Sequence, residues 1–221
     1  MKKFLFLALI TGATLSSCSK KSNPTAQSTG TVTINGTTYA TVSIGTQSWT
    51  SVNYNGTGGV NYNSSSTNNP TYGKLYLISE ATAISLPSGW RLPTLADASK
   101  LLVYMGATGN DGTGVEGDAT VAIKLKSNSA WTLTQGNNSS GFNAYPAGDA
   151  YNNGTSEFIG EFAEFWTSSV DSGNDQYILG ISDDAEPDTN PPLIDNYAYI
   201  DYIPAITLSA SRLSIRFVKD N

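Results

Sequence analysis

The chain has 221 residues and a formal charge of −6, with 12 basic residues, 18 acidic residues, one Cys and no His. Without His there is no imidazole base, no Ser–His triad and no His-ligated metal, and a single Cys rules out an internal disulfide and Cys-ligated zinc. A metal would have to bind through oxygen, which selects Ca²⁺ or Mg²⁺.

Met1-Lys2-Lys3 is a short positive stretch, and Phe4 to Ile10 is an apolar run that Thr11 to Leu15 continues weakly. The run falls short of the roughly 20 apolar residues that span a bilayer, and it fits a secretory signal over residues 1–17. Leu15-Ser16-Ser17-Cys18 then resembles a bacterial lipobox, with Cys18 receiving the lipid. The expected product is a lipoprotein anchored in the outer membrane. Lys20 and Lys21 just after the anchor favour its periplasmic face. Without Lys2 and Lys3 the 12 basic residues fall to 10 against 18 acidic ones, about −8. Phosphate backbones repel such a chain, so nucleic acid is not an expected partner.

Residues 18–30 are small and polar with one Pro and read as a flexible tether; a folded domain is expected over 31–221. Thr31 to Ile34, Asn35-Gly36 and Thr37 to Ile44 form a hairpin signal, because Asn-Gly accepts the positive φ of a type I′ turn. Gly45-Thr46 turns the chain again into Gln47–Val52. Asn53 to Tyr72 is a long loop with three tyrosines, Tyr54, Tyr62 and Tyr72. The clearest helix follows Pro93: Thr94 caps it, Asp97 reaches back, and Leu95, Ala98, Leu101, Leu102 and Met105 share one face up to Gly106. Ala119 to Leu125 reads equally as helix or strand. Short strands are predicted over 165–168, 176–181, 197–203 and 213–218.

Seven blocks in order carry a family resemblance. They are Ile44–Trp49, Tyr72–Tyr76, Gly89–Thr94, Lys124–Ser127, Asn138–Gly148, Phe165–Ser169 and Ser214–Asp220. Together, from Tyr39 to Asp220, they resemble the Fibrobacter succinogenes major paralogous domain family. That family is similar to C-type lectin-like domains and to the sulfatase-modifying, formylglycine-generating group. The resemblance implies an α+β, C-type lectin-like fold, with about two helices, short antiparallel strands and long loops. It fixes no activity. Formylglycine-type oxidation needs active-site cysteines that this chain lacks. Leu86 and Phe217 stand where relatives often carry Cys, so apolar packing replaces a disulfide.

Trp49, Trp90, Trp131 and Trp166 read as packing residues, and Arg91 and Arg216 as buried partners of carboxylates. Asp183, Asp184, Glu186 and Asp188, with Asn190, have two readings: a solvated acidic loop, or an oxygen-rich wrap for calcium. Glu186-Pro187-Asp188 resembles a sugar-binding tripeptide of C-type lectins. Tyr197, Tyr199 and Asp201 alternate and would share one strand face, either packed as core or presented to stack and hydrogen-bond a sugar. The expected function is a non-enzymatic binding or adhesion module for a glycan or an envelope protein. The alternatives are a carboxylate-based glycan hydrolase, for which no spacing singles out a pair, and a structural envelope protein without a small ligand.

Overall fold

The computed structural model describes residues 29–64, 71–110, 112–186 and 193–221. Cys18, and with it the signal and the lipid site, lies outside the described residues.

The strands Thr29–Ile34 (β1), Thr37–Ile44 (β2) and Gln47–Thr50 (β3) come first. Asn35 and Gly36 both have positive φ, 48° and 82°, as a type I′ turn requires, and Ile34 pairs with Thr37 across it. Two helices follow, Ile78–Thr82 (α1) and Leu95–Met105 (α2). Gly109–Asn110 (β4) and Val115–Glu116 (β5) form a two-residue ladder ahead of a third helix, Ala119–Leu125 (α3). The second half holds Asp149–Tyr151 (β6), Ser156–Glu157 (β7), Phe162–Val170 (β8), Gln176–Ser182 (β9), Asp184–Glu186 (β10), Leu193–Asp195 (β11) and Ala198–Ile203 (β12). A last helical turn, Ala205–Leu208 (α4), precedes Ser211–Arg212 (β13) and Val218–Asp220 (β14).

The largest sheet runs β1-β2-β3-β14, so the last strand closes on the third, with Val218 opposite Trp49. A second sheet runs β12-β9-β8 and a third β13-β6-β7, while β10-β11 and β4-β5 are two-stranded. All these ladders are antiparallel.

The α+β, C-type lectin-like class with about two helices is thereby corrected. Among the described residues the architecture is mostly β, in small sheets, with four short helices. The physical reason is local. Gly and Asn turns cut the apolar runs into short pieces, and α3 stops after seven residues because Lys126 is extended (φ −59°, ψ 143°). Only α2 has a full set of helix signals. Thr94 Oγ1 accepts the Asp97 N–H, Asp97 accepts the Thr94 N–H in return, and Gly106 ends the helix at φ 106°. Such a cap contributes about 1 kcal/mol. Ala98, Leu101, Leu102 and Met105 are buried as the sequence pattern requires.

The predicted strand over 213–218 is also corrected. Leu213 bridges Tyr76, Ser214 bridges Phe165, the Thr50 N–H donates to the Phe217 carbonyl, and the Tyr54 N–H to that of Ile215. Leu213 to Val218 are almost wholly buried, so the segment threads between layers and changes partner at each step.

The β12-β9-β8 sheet separates two cores. Residues directly opposed in an antiparallel ladder point to the same face. Ala198, Ile181 and Ala163 form one row and Ile200, Leu179 and Phe165 another; both enter the core built with α2, α3, Val42 and Trp49. Ile178 and Trp166 point the other way, into a core with Tyr54, Tyr76, Ile215 and Phe217. Leu86 packs against that second cluster, so the two positions expected to replace a disulfide meet in one apolar core.

Candidate functional site

The row between those apolar rows is Tyr199–Gly180–Glu164, and it faces the same way as Ile178 and Trp166. Gly180 lets the row close. A Cβ there would sit 2.2 Å from Tyr199 Cζ, so only glycine allows the tyrosine ring to lie across β9. The Tyr199 hydroxyl thereby reaches Glu164 Oε1, two strands away, at 3.4 Å. Asp201 is the next residue of β12 on this face and is exposed. The Gly148 N–H donates to the Phe162 carbonyl, which seats β6 beside the start of β8 and brings Asp149 and Tyr151 to the same site.

Burial is the main cause that raises the Glu164 carboxyl to about 7, and the negative charges of Asp149 and Asp201 add to it while the Tyr199 hydroxyl opposes it. Asp149 is raised as well, mainly by burial, with Tyr151 bonding to it and Glu157 repelling it. Its Oδ1 is buried and has no hydrogen-bond partner among the described residues. Burial and the nearby acids push the Tyr151 hydroxyl up to about 12. Glu164 therefore exchanges its proton near neutral pH, with the tyrosine hydroxyls of Tyr199 and Tyr151 close by. Such a group can exchange protons or hydrogen-bond hydroxyls.

The structure brings Tyr197, Tyr199 and Asp201 together as the alternation requires, with Ala198 and Ile200 fully buried on the opposite face. Both tyrosines are half-buried, and their ring centroids lie 5.2 Å apart, tilted by 54°, so they form a bent pair rather than one flat platform. Glu164, Asp149 and Gly180 were not singled out by sequence. The signal was there for Glu164, since strand alternation places it with Trp166 rather than with its neighbour Phe165.

Of the four acids in the calcium reading, only Asp183 has a described side chain, and it turns into the protein. Asp183 has 0% side-chain exposure and pairs with Lys126, whose Nζ lies 2.9 Å from Oδ1. The Leu133 and Thr134 N–H groups donate to the same carboxylate, so its oxygens are engaged inside the protein. Asp184 and Glu186 fall on β10; Asp188 lies outside the described residues. Among the described residues no three His, Cys, Asp or Glu side chains gather to hold a metal.

Trp49, Trp131 and Trp166 are buried and Trp90 half-buried, in line with packing. Arg91 pairs with carboxylates, meeting Asp97 at 2.7 Å and Asp220 at 3.0 Å, but its side chain is 33% exposed rather than buried. Among the described residues Arg216 pairs with no carboxylate. Its guanidinium, 0% exposed, donates to Asn53 Oδ1 and to the carbonyls of Thr50, Phe142 and Asn143. The loop after β3 borders an open cleft of about 480 Å³ lined by Asn35, Tyr54, Thr57, Glu80, Ile84 and Ser85, among others. Tyr54 itself is buried, and Tyr62 and Tyr72 pack against Leu75, Ala147 and Ala150.

No curated protein matches the chain, and no solved structure matches it. The family described as the Fibrobacter succinogenes major domain matches residues 33–219, which takes in every core cluster described above. That span covers most of the sequence, and the chain belongs to the Fibrobacter succinogenes major domain family.

Proposed function

We propose that this protein is an outer-membrane lipoprotein, anchored through Cys18 and favouring the periplasmic face, whose folded part is a non-enzymatic binding module for glycans. The observation that carries the binding reading is the convergence of Tyr197, Tyr199, Asp201 and Glu164 on one sheet face, with Asp149 of β6 near Glu164. Aromatic faces cover the apolar side of a sugar ring, while carboxylates and phenols take its hydroxyls. Affinity electrophoresis through gels containing envelope or plant polysaccharides tests it. The wild-type protein should be retarded by at least one glycan, and Tyr197→Ala and Asp201→Ala should each remove the retardation. Free migration in every gel would overturn the glycan reading and leave a protein ligand or a purely structural envelope role. Cys18→Ala should release the protein from the membrane fraction; a variant that stays there under high salt is anchored by other means.

A second reading, a carboxylate-based glycan hydrolase, is favoured by one observation. Glu164, held protonated near neutral pH beside Asp149, has the character of a general acid next to a second carboxylate. Release of reducing ends from a retarded glycan, lost in Glu164→Gln, would select this reading; retardation without release selects binding.

A further inference from the structure

We propose that Lys126 and Asp183 condense into an intramolecular amide, a covalent staple between the end of α3 and the end of β9. Both side chains have 0% exposure, and Nζ lies 2.9 Å from Oδ1. The Trp131 ring covers the amine, with its centroid 4.3 Å from Nζ. Oδ2 accepts the N–H groups of Leu133 and Thr134, both at 2.8 Å, and the Thr134 N–H also reaches Oδ1 at 3.0 Å. The two carboxylate oxygens are therefore not equivalent. One touches the amine, and the other sits under two backbone donors.

That asymmetry is what amide formation needs. Removal from water disfavours the ammonium, so a neutral amine competes with it at this contact. Desolvation lowers Lys126 to about 8, against the opposing pull of Asp183. Moving one proton from Nζ to Oδ1 produces the neutral pair with no change in total charge. The Nζ lone pair then attacks Cγ. Negative charge develops on Oδ2, where the Leu133 and Thr134 N–H groups already point, the arrangement of an oxyanion hole. The Cγ–Oδ1 bond breaks, and Oδ1 leaves as water with the proton it received and a second one lost by Nζ. One ammonium and one carboxylate become one secondary amide and one water, with no oxidant or cofactor. Fixed contact in the fold supplies the proximity that makes an otherwise slow condensation intramolecular.

The linkage suits this chain. Its single Cys allows no internal disulfide, and an amide joining positions 57 apart would restrict the unfolded chain as a disulfide does. Neither group takes part in the Glu164–Tyr199 site.

Intact-mass measurement on the purified mature protein tests the proposal, its sequence mass taken as residues 18–221 plus the lipid proposed on Cys18. The wild-type protein should weigh one water, about 18 Da, less than its sequence. Tryptic digestion should leave the bond after Lys126 uncut and yield a branched peptide joining Lys126 to Asp183. Lys126→Arg should restore the full sequence mass. Asp183→Asn should still form the same branched peptide, with loss of ammonia instead of water. If either variant fails to fold, the wild-type mass and digest decide alone. Full sequence mass, with ordinary cleavage after Lys126, would overturn the proposal and leave a buried ion pair.

Discussion

Glu164→Gln should make the protein more stable at pH 8 and leave it unchanged at pH 4.5. Glu164 is raised from 4.5 to about 7, first by burial and then by Asp149 and Asp201, with Tyr199 opposing. A carboxyl that holds its proton more tightly when folded makes the fold most stable below its unfolded value. That stability drains away as pH rises above 4.5, and the loss levels off above about 7, where both states are ionised. The shift corresponds to about 3 kcal/mol of cost at pH 8. Glutamine is neutral throughout and can still bond the Tyr199 hydroxyl, so it removes the cost and keeps the contact. For a chain of this size about 3 kcal/mol is roughly 6–12 °C in Tm. The assay is thermal unfolding by circular dichroism from pH 4.5 to 8.5 on both proteins. Asp149 is raised too, so a weaker slope of the same sign should survive in the variant. Asp97, lowered by Arg91 and Thr94 against its burial, acts oppositely, and its stability is lost only as pH falls below the usual carboxylate range. Parallel curves for the two proteins across pH 5–8, or a variant less stable at pH 8, would refute the reasoning.

Three further changes test the construction of the fold and site. Gly180→Ala places a Cβ against the Tyr199 ring and should cost about 1–3 kcal/mol in urea unfolding. Adding Tyr199→Ala should recover part of that loss, and strict additivity in the double-mutant cycle would disprove the contact. Arg216→Lys keeps the charge but replaces a fork that serves four acceptors, Asn53 Oδ1 and three carbonyls. With each abandoned buried acceptor costing about 1–3 kcal/mol, a loss of about 3 kcal/mol or more is expected, and a loss below about 1 would contradict the role assigned here. Thr94→Ala removes the α2 cap and should cost about 1 kcal/mol, read by the same urea titration; an unchanged midpoint would show that Asp97 holds the helix end without it.

What the sequence made legible was whatever depends on near neighbours. The Asn35-Gly36 hairpin, the Thr94 cap and the Gly106 stop are short-range chemistry, and each stands where the residues place it. The alternation of Tyr197, Tyr199 and Asp201 likewise survives, because a strand fixes which residues share a face. Long-range partners were not legible. Asp183 is adjacent in sequence to other acids but pairs with Lys126, 57 positions earlier, and no local pattern announces that. Glu164 acquires its character from Asp149 on β6 and Asp201 on β12. Segment 213–218 looked like a strand by composition, yet it is buried on every side and so cannot keep one partner.

The buried polar residues follow from the same feature that overturned the expected fold class. A protein made of small sheets and long connections leaves many backbone groups that no ladder pairs, and buried ones must find other partners. Arg216 supplies three such carbonyls at Thr50, Phe142 and Asn143, and Asn53 links it in turn to the Tyr72 carbonyl. Asp97 ties the Thr94 N–H, Arg91 and Gln47 at one point. Asp183 takes the N–H groups of Leu133 and Thr134. Each of these charges sits where loop backbone meets the core, and each does for a loop what a hydrogen-bond ladder does for a strand. Glu164 differs from them: desolvation disfavours its charge, the hydroxyl that reaches it from Tyr199 does so at 3.4 Å, and its nearest charged neighbours repel it. A half-buried acid of perturbed affinity for its proton is the group to expect at a ligand site rather than at a structural joint.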